Sequence, residues 1–428
     1  AILSDEFAKM YNGKMILRFD DTDPKIKKPI ENAEQIFKED LEWLGCEIAE
    51  TYFASDRLEI YYRHMKELIE KGKAYVCICE SESWRKKIRK SEACNCRNLT
   101  AKKHMELFEK MQSNELKEGE AVLRIKTDLK HLDPSIRDWW AAKVVDKPVH
   151  PNPKASDKHV WPSYNLASAI DDHEFRVTLI LRGQEHEQNK TKQEFLYKYF
   201  GWKYPHSIHF GRVKLAGMVL STSKIKEGIE KGEFSGWDDP RLGTIKALRR
   251  RGFQSQALRN AILEIGVKSS DSSIDTKRLA DLNKEELGVR TSVNFFTDPI
   301  LLEVEGTPHG TAKFFISKKD LDKLEVGKAF RLRETYAVKL NKKDPLQAFG
   351  TYSGDAKIKP IIKWLEASRE DRTMAVRILM QDNTIIDGIT DEFANEVKPE
   401  EVIWLYGFGF CRIESLEEKK AFLVFAHA

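Results

Sequence analysis

At about Asn294 the chain changes texture, and no single layered architecture accommodates both sides of the change. Before it, helix-like segments alternate with short apolar runs. Residues 1–12, 32–44, 55–70 and 188–199 read as helices, and Lys14–Phe19, Ala74–Val76 and Val177–Leu181 as strands. After it, short β-like runs recur between turns (Ile300–Val304, Lys313–Ile316, Ala329–Leu332, Ala337–Leu340, Val376–Leu379, Val402–Leu405), as in β-barrels. Residues 240–290 between them are mostly helical and basic. From Glu80 to about Asp157 the pattern weakens, becoming Lys-rich and marked by Pro148, Pro151 and Pro153, the texture of an inserted subdomain. A chain of 428 residues holds two to four domains of roughly 150 residues each. The expected fold is therefore multidomain α/β plus all-β.

Composition excludes some classes and leaves others open. No apolar run approaches the ~18 residues of a membrane helix, and no secretory-signal pattern opens the chain, so a cytoplasmic setting without membrane attachment is expected. The 72 basic and 68 acidic residues leave a net charge of +4, too small to identify a nucleic-acid partner without local patches. Cys46 and Cys411 stand alone, whereas Cys77, Cys79, Cys94 and Cys96 crowd into twenty residues. Two C-x-C pairs in a chain with no secretion signal favour tetrahedral zinc over disulfides, in a structural role. Two unrelated pairs of buried thiols are the alternative.

Four further segments carry candidate chemistry. In ILRFDDTDP (16–24) an apolar strand ends in Arg18, Asp20, Asp21 and Asp23, where an open α/β sheet binds ligands. A carboxylate there suits a cationic group such as an ammonium; a capped turn with an internal salt bridge is the plainer reading. WPSYNLASAIDDHEFRVTLILRGQEH (161–186) repeats the grammar, with Tyr164, Ser168 and Asp171 on one helix edge and Arg182 at a strand end. Arg182 either grips a substrate carboxylate or neutralises Asp171 and Asp172. GMVLSTSKI (217–225) reads as a loop in which Ser221, Ser223 and Lys224 would cradle phosphate. In GWDDPRLGTIKALRRRGF (236–253), Arg241, Lys246, Arg249 and Arg250 offer cations to phosphate, with few acids expected nearby beyond Asp239.

Taken in order, RFDDTDP, WPSYNLASAIDDH with LRGQEH, VLSTSKI and GWDDPRLGTIKALRRRG resemble successive signatures of archaeal-type glutamyl-tRNA synthetases, which are class I aminoacyl-tRNA synthetases. FRLRETYAVKL and GFGFCRIES resemble the paired anticodon-binding barrels that family shares with glutaminyl enzymes. The resemblance covers nearly the whole chain. It implies a Rossmann-type catalytic domain in two halves (1–76 and 160–228), an inserted acceptor-end subdomain (77–159), a helical stem-contact domain (229–293) and two anticodon-binding barrels (294–428). It also implies ATP with Mg2+, L-glutamate and tRNA(Glu) as partners, with tRNA(Gln) a further candidate, and a monomeric enzyme. Asp20 matches the position that holds the substrate ammonium, Tyr164 and Ser168 the pocket lining, and Arg182 the arginine on the side-chain carboxylate. Val219–Ile225 matches the KMSKS loop, which stabilises the pyrophosphate leaving group, and Arg331 and Arg333 fall where the family approaches anticodon bases.

Three departures accompany the match. Thr222 stands where the main KMSKS lysine would be, so its role passes to Lys224. Arg176 occupies a turn position usually given to a small residue. The family's HIGH signature is absent, and the expectation is a chain that begins inside the first Rossmann unit and is inactive by itself. A glutaminyl-tRNA synthetase and a catalytically dead tRNA-binding protein are the competing readings; the cation at Arg182 favours a carboxylate substrate over its neutral amide.

Overall fold

The computed structural model describes residues 1–25, 32–367, 373–393 and 396–428. The chain forms two compact units, one of residues 1–213 with 265–272 and one of residues 214–264 with 273–428.

The first unit opens with helix α1 (Ile2–Met10), strand β1 (Met15–Phe19), helix α2 (Ala33–Trp43), strand β2 (Ile48–Phe53) and helix α3 (Leu58–Glu70). β1 and β2 pair in parallel, Arg18 lying opposite Tyr52 and Phe19 opposite Phe53. β3 (Ala74–Cys77), helices α4 (Ser81–Arg89) and α5 (Ala101–Gln112), and strands β4 (Val122–Ile125), β5 (Trp140–Val144) and β6 (Val160–Pro162) follow. These four strands make an antiparallel sheet in the order β3-β4-β5-β6. Helix α6 (Tyr164–Glu174), strand β7 (Leu179–Gly183), helix α7 (Glu187–Phe200) and strand β8 (His206–Phe210) complete the unit, with β7 and β8 parallel.

The α/β body expected from sequence is therefore present as two parallel pairs, and among the described residues no ladder joins them. One continuous core runs through α3, the antiparallel sheet, α5, α6 and α7, with Tyr61, Met65, Phe108, Met111, Trp161, Leu166 and Tyr197 buried in it. The residues read as an insertion thus share their core with the body. α6 begins where Ser163 Oγ accepts from the Leu166 amide, a side-chain cap that satisfies a donor the helix cannot. It ends at Arg176, whose φ of +54° closes the last turn while the Val177 amide donates to the Asp172 carbonyl. That left-handed position ordinarily belongs to glycine, which is the geometric reason the family favours a small residue there.

In the second unit, helices α8 (Thr222–Glu230) and α9 (Ile245–Arg251) precede the β-rich part. The expectation of a loop over 217–225 needs correcting, because its second half is the first turn of α8. Strands 292–296, 385–391, 373–379, 420–427, 409–417 and 402–406 close into a barrel around Ile378, Ile403 and Leu423. A seven-stranded sheet takes strands 361–362, 329–332, 337–343, 347–352, 299–307, 310–317 and 365–366 in that order, around Leu302, Phe330 and Leu340. Two barrels are expected from sequence; one is closed, and the other is this open sheet.

Candidate active site and metal centre

The ends of β1 and β7 are linked by charge. Arg18 donates from Nε to Asp20 Oδ1 at 3.0 Å and stands 2.8 Å from the same oxygen through Nη2. Its Nη1 faces Asp171 Oδ2 at 3.6 Å and Asp172 Oδ1 at 3.8 Å. Asp172 Oδ2 in turn lies 3.7 Å from Arg182 Nη2. Asp171, fully buried, accepts from Arg57 Nε at 2.7 Å and from the Tyr61 hydroxyl at 2.6 Å. Three arginines and three aspartates thus form one ionic network at the ends of β1 and β7. Burial alone would lower the Arg18 pKa, but Asp20, Asp172 and Asp171 outweigh it and raise it. Burial pushes the Asp172 carboxyl up to about 6 despite Arg18 and Arg182.

Of the residues expected to line an amino-acid pocket, Asp20 keeps the most open carboxylate of this cluster, its side chain 43% exposed. Arg182 is buried, with Nη1 donating to Gln193 Oε1 at 2.9 Å. Gln193 Oε1 also accepts from the Tyr204 hydroxyl, and its amide nitrogen donates to Ser168 Oγ at 2.9 Å. Ser168 therefore sits one layer down, holding the residue that holds Arg182. Tyr164 opens α6, its ring 6.1 Å from that of His186. Both plain readings of these arginines hold in part: Arg182 does face Asp172, and Arg18 does pair internally. Yet Arg57, Tyr61 and Gln193, which carry no motif of their own, build the frame together with Arg18.

The four clustered cysteines converge. All are free thiols, and their sulfurs lie within 4.8 Å of one another. Cys77 and Cys94 are 3.9 Å apart and Cys79 and Cys96 3.7 Å. A tetrahedron of thiolates around zinc, with Zn–S near 2.3 Å, has S···S edges of about 3.8 Å, so the donor set fits that metal. The hydrogen bond with Cys77 holds the Cys94 thiol down and pushes the Cys77 thiol up. Tyr75 and Trp84 pack around the cluster.

The cations of the basic segments differ in burial and in their partners. Ser221, Ser223 and Lys224 are exposed at the first turn of α8, where Ser221 occupies the N-cap without a side-chain cap bond. Arg241 is clamped on Asp239, from Nε to Oδ1 at 2.8 Å and from Nη2 to Oδ2 at 2.7 Å, which holds the Asp239 carboxyl well below its usual range. Arg250 bonds Glu414 at 2.9 Å and Asp238 at 3.3 Å, so the expected scarcity of acids beyond Asp239 is overturned. Lys246 and Arg249 are exposed on α9. In the β-rich part, Arg331 spends its guanidinium on the carbonyls of Asp355, Ala356 and Thr335. Arg333 instead borders a cavity of about 490 Å³ with Lys363, Trp364 and Tyr406. Lys363 Nζ lies 3.5 Å from the centre of the Tyr406 ring, and the Arg333 guanidinium 5.2 Å from it. Neither Lys363 nor Tyr406 stands in a recognisable motif; the long sequence separation between Arg333 and Tyr406 hides the grouping.

Residues 1–289 match the family model described as "tRNA synthetases class I (E and Q), catalytic domain". The whole chain is similar to glutamate–tRNA ligases: 44% identical to that of Pyrococcus abyssi and 42% to that of Thermococcus kodakarensis, covering 79% of each. Among solved structures it is similar to a glutamate tRNA ligase from Elizabethkingia meningosepticum, at 19% identity and a TM-score of 0.48, with 67% of this chain and 65% of that chain covered. The family match over residues 1–289 and the identity sustained across the full chain lead to one conclusion: this chain belongs to the glutamate–tRNA ligases of the class I tRNA synthetase family.

Proposed function

We propose that the chain activates L-glutamate with ATP and transfers it to the 3′ end of tRNA(Glu), with Asp20 receiving the substrate ammonium and Arg182 its side-chain carboxylate. The observation that carries this reading is the buried Arg182, held by Gln193 and faced by Asp172, at the far end of an ionic series from the open carboxylate of Asp20. A zwitterionic substrate with one extra negative charge finds a fixed carboxylate at one end and a fixed guanidinium at the other. A neutral side-chain amide would gain less from that guanidinium than a carboxylate does, which disfavours glutamine.

The first turn of α8 presents unsatisfied backbone N–H groups and the exposed Lys224 to anionic oxygens, so Ser221, Ser223 and Lys224 are assigned to the ATP phosphates, with Mg2+ as counter-ion. Attack of the glutamate carboxylate on the α-phosphate then depends on positioning and charge stabilisation. Lys246 and Arg333 are the better-placed cations for tRNA, with Arg249 exposed on the same helix as Lys246; Arg241, Arg250 and Arg331 act by holding the protein surface that meets it. Zinc on Cys77, Cys79, Cys94 and Cys96 would cross-link the start of the inserted segment (77–159) structurally.

Steady-state charging by the intact protein tests the pocket. Arg182→Ala is expected to lower kcat/KM for glutamate by about a hundredfold, an effect of roughly 2.7 kcal/mol. Unchanged kinetics, or wild-type charging with glutamine in place of glutamate, would refute the assignment.

A further inference from the structure

The turn that follows β1 is held from outside by a segment far along the chain, Pro148–Asn152 between β5 and β6. His150 Nε2 lies 2.8 Å from the Asp21 carbonyl oxygen, and its Nδ1 accepts from the Asn152 amide at 3.0 Å. Because Nδ1 is occupied as an acceptor, the proton sits on Nε2 and donates to Asp21, so the tautomer is fixed by the fold. The ring packs against Trp161, centroids 5.4 Å apart, and its side chain is 1% exposed. Asn152 donates from Nδ2 to Ser55 Oγ at 2.8 Å. Ser55 in turn donates to the Asp21 carboxylate twice, from N at 2.8 Å and from Oγ at 2.7 Å. The Val149 amide adds a bond to the Pro24 carbonyl at 3.2 Å.

Asp21 is thus pinned at its carbonyl and both carboxylate oxygens, immediately after Asp20. Arg18 alone does not fix where the Asp20 carboxylate stands, since that side chain is 43% exposed and the arginine is shared with Asp171 and Asp172. Arg18 takes the Asp20 carboxylate from one side, and the bonds on the Asp21 carbonyl and carboxylate hold the residue that follows it from the other. We propose that His150 is a positioning residue for amino-acid recognition: its Nε2–H bond to the Asp21 carbonyl sets the backbone from which Asp20 reaches the substrate ammonium. This rests on the assignment of Asp20 made above. Misplacing a charged partner by a fraction of an ångström weakens a charge-assisted bond without disturbing groups elsewhere in the site.

The test is charging kinetics on His150→Phe, which keeps a ring against Trp161 and removes both hydrogen bonds. His150→Gln, which restores an N–H near the Nε2 position, and Asp20→Asn complete the set. His150→Phe should raise the glutamate KM about tenfold while the ATP KM and the kcat at saturating glutamate stay within twofold, and His150→Gln should recover most of the loss. Equal losses in every parameter with no rescue by glutamine would mean a merely structural histidine and overturn the proposal. So would a glutamate KM in His150→Phe within twofold of the parent while Asp20→Asn is impaired. An Asp20→Asn variant with unaltered glutamate KM would instead remove the Asp20 assignment, and this proposal with it.

Discussion

The two places where this protein gathers cations solve opposite problems. At the ends of β1 and β7, Arg18, Arg57 and Arg182 are largely buried and answered by Asp20, Asp171 and Asp172 within the same few ångströms. At the barrel cavity, Arg333 and Lys363 lie over the Tyr406 ring, and the acid nearest Arg333, Glu334, is itself mostly exposed. Buried charges must be compensated by fixed partners or they would destabilise the fold, and the first site supplies those partners, as the proposed amino-acid pocket requires. The half-buried Lys363 and the exposed Arg333, set against an aromatic face, can meet a larger anionic, stackable ligand. Burial raises the Asp172 pKa in the first case; in the second it lowers that of Lys363, with Arg333 adding to the effect against Asp320.

The contrast is broken most directly at Asp171. Asp171→Ala strands Arg57, Tyr61 and one arm of Arg18, and should destabilise the first unit by about 3–5 kcal/mol in denaturant titrations. A loss below 1 kcal/mol would show that the ionic series is not structurally required. The next effect is a pH slope. With Asp172 pushed up to about 6 in the folded protein against 3.8 as its ordinary value, the native state binds more protons than the unfolded chain between those values. Its contribution to stability is complete below about pH 4, declines as pH rises through 6, and amounts to about 2–3 kcal/mol. Asp172→Asn should flatten that part of the stability profile.

At the cavity, Arg333→Ala and Lys363→Ala should each weaken tRNA binding and reduce the salt slope of log K by about one, with melting unchanged. Arg331→Ala should do the reverse, lowering the melting temperature because the carbonyls of Asp355, Ala356 and Thr335 lose their donor. Matching salt slopes for Arg331 and Arg333 variants would erase the distinction drawn between them. The smallest effect is expected where α6, the carrier of Asp171 and Asp172, ends in a left-handed residue. Arg176→Gly should stabilise by about 1 kcal/mol, read as a rise in melting temperature.

How much of this was legible beforehand follows the range of the interactions. Strand β1, helices α3 and α6, the cysteine cluster and the barrel runs show through because period, caps and spacing are local signals. Asp20, Arg182 and the cysteines were visible as residue types at strand ends or in pairs. Their frame was not: Arg57 and Asp171 are 114 positions apart, Arg250 and Glu414 164, and Gln193 lies inside an unremarkable helix. The expectation of few acids near these cations failed for this reason, since the acid that neutralises Arg250 arrives from a distant strand. The helical start of α8 was missed because glycine, serine and threonine read as loop, and Ser221 at the N-cap makes no side-chain cap bond.

The order β3-β4-β5-β6 has a consequence for how such a molecule can be taken apart or rebuilt. The segment between β3 and β6 leaves and rejoins the body on opposite edges of one sheet, not side by side. Three strand spacings separate those edges, about 14 Å, so deleting the intervening residues would require a bridge of roughly four or more residues and would expose a shared core. The part is woven into the body rather than plugged into it. Exchange between relatives should therefore succeed only when α3, α6 and the segment travel together, as one heritable block.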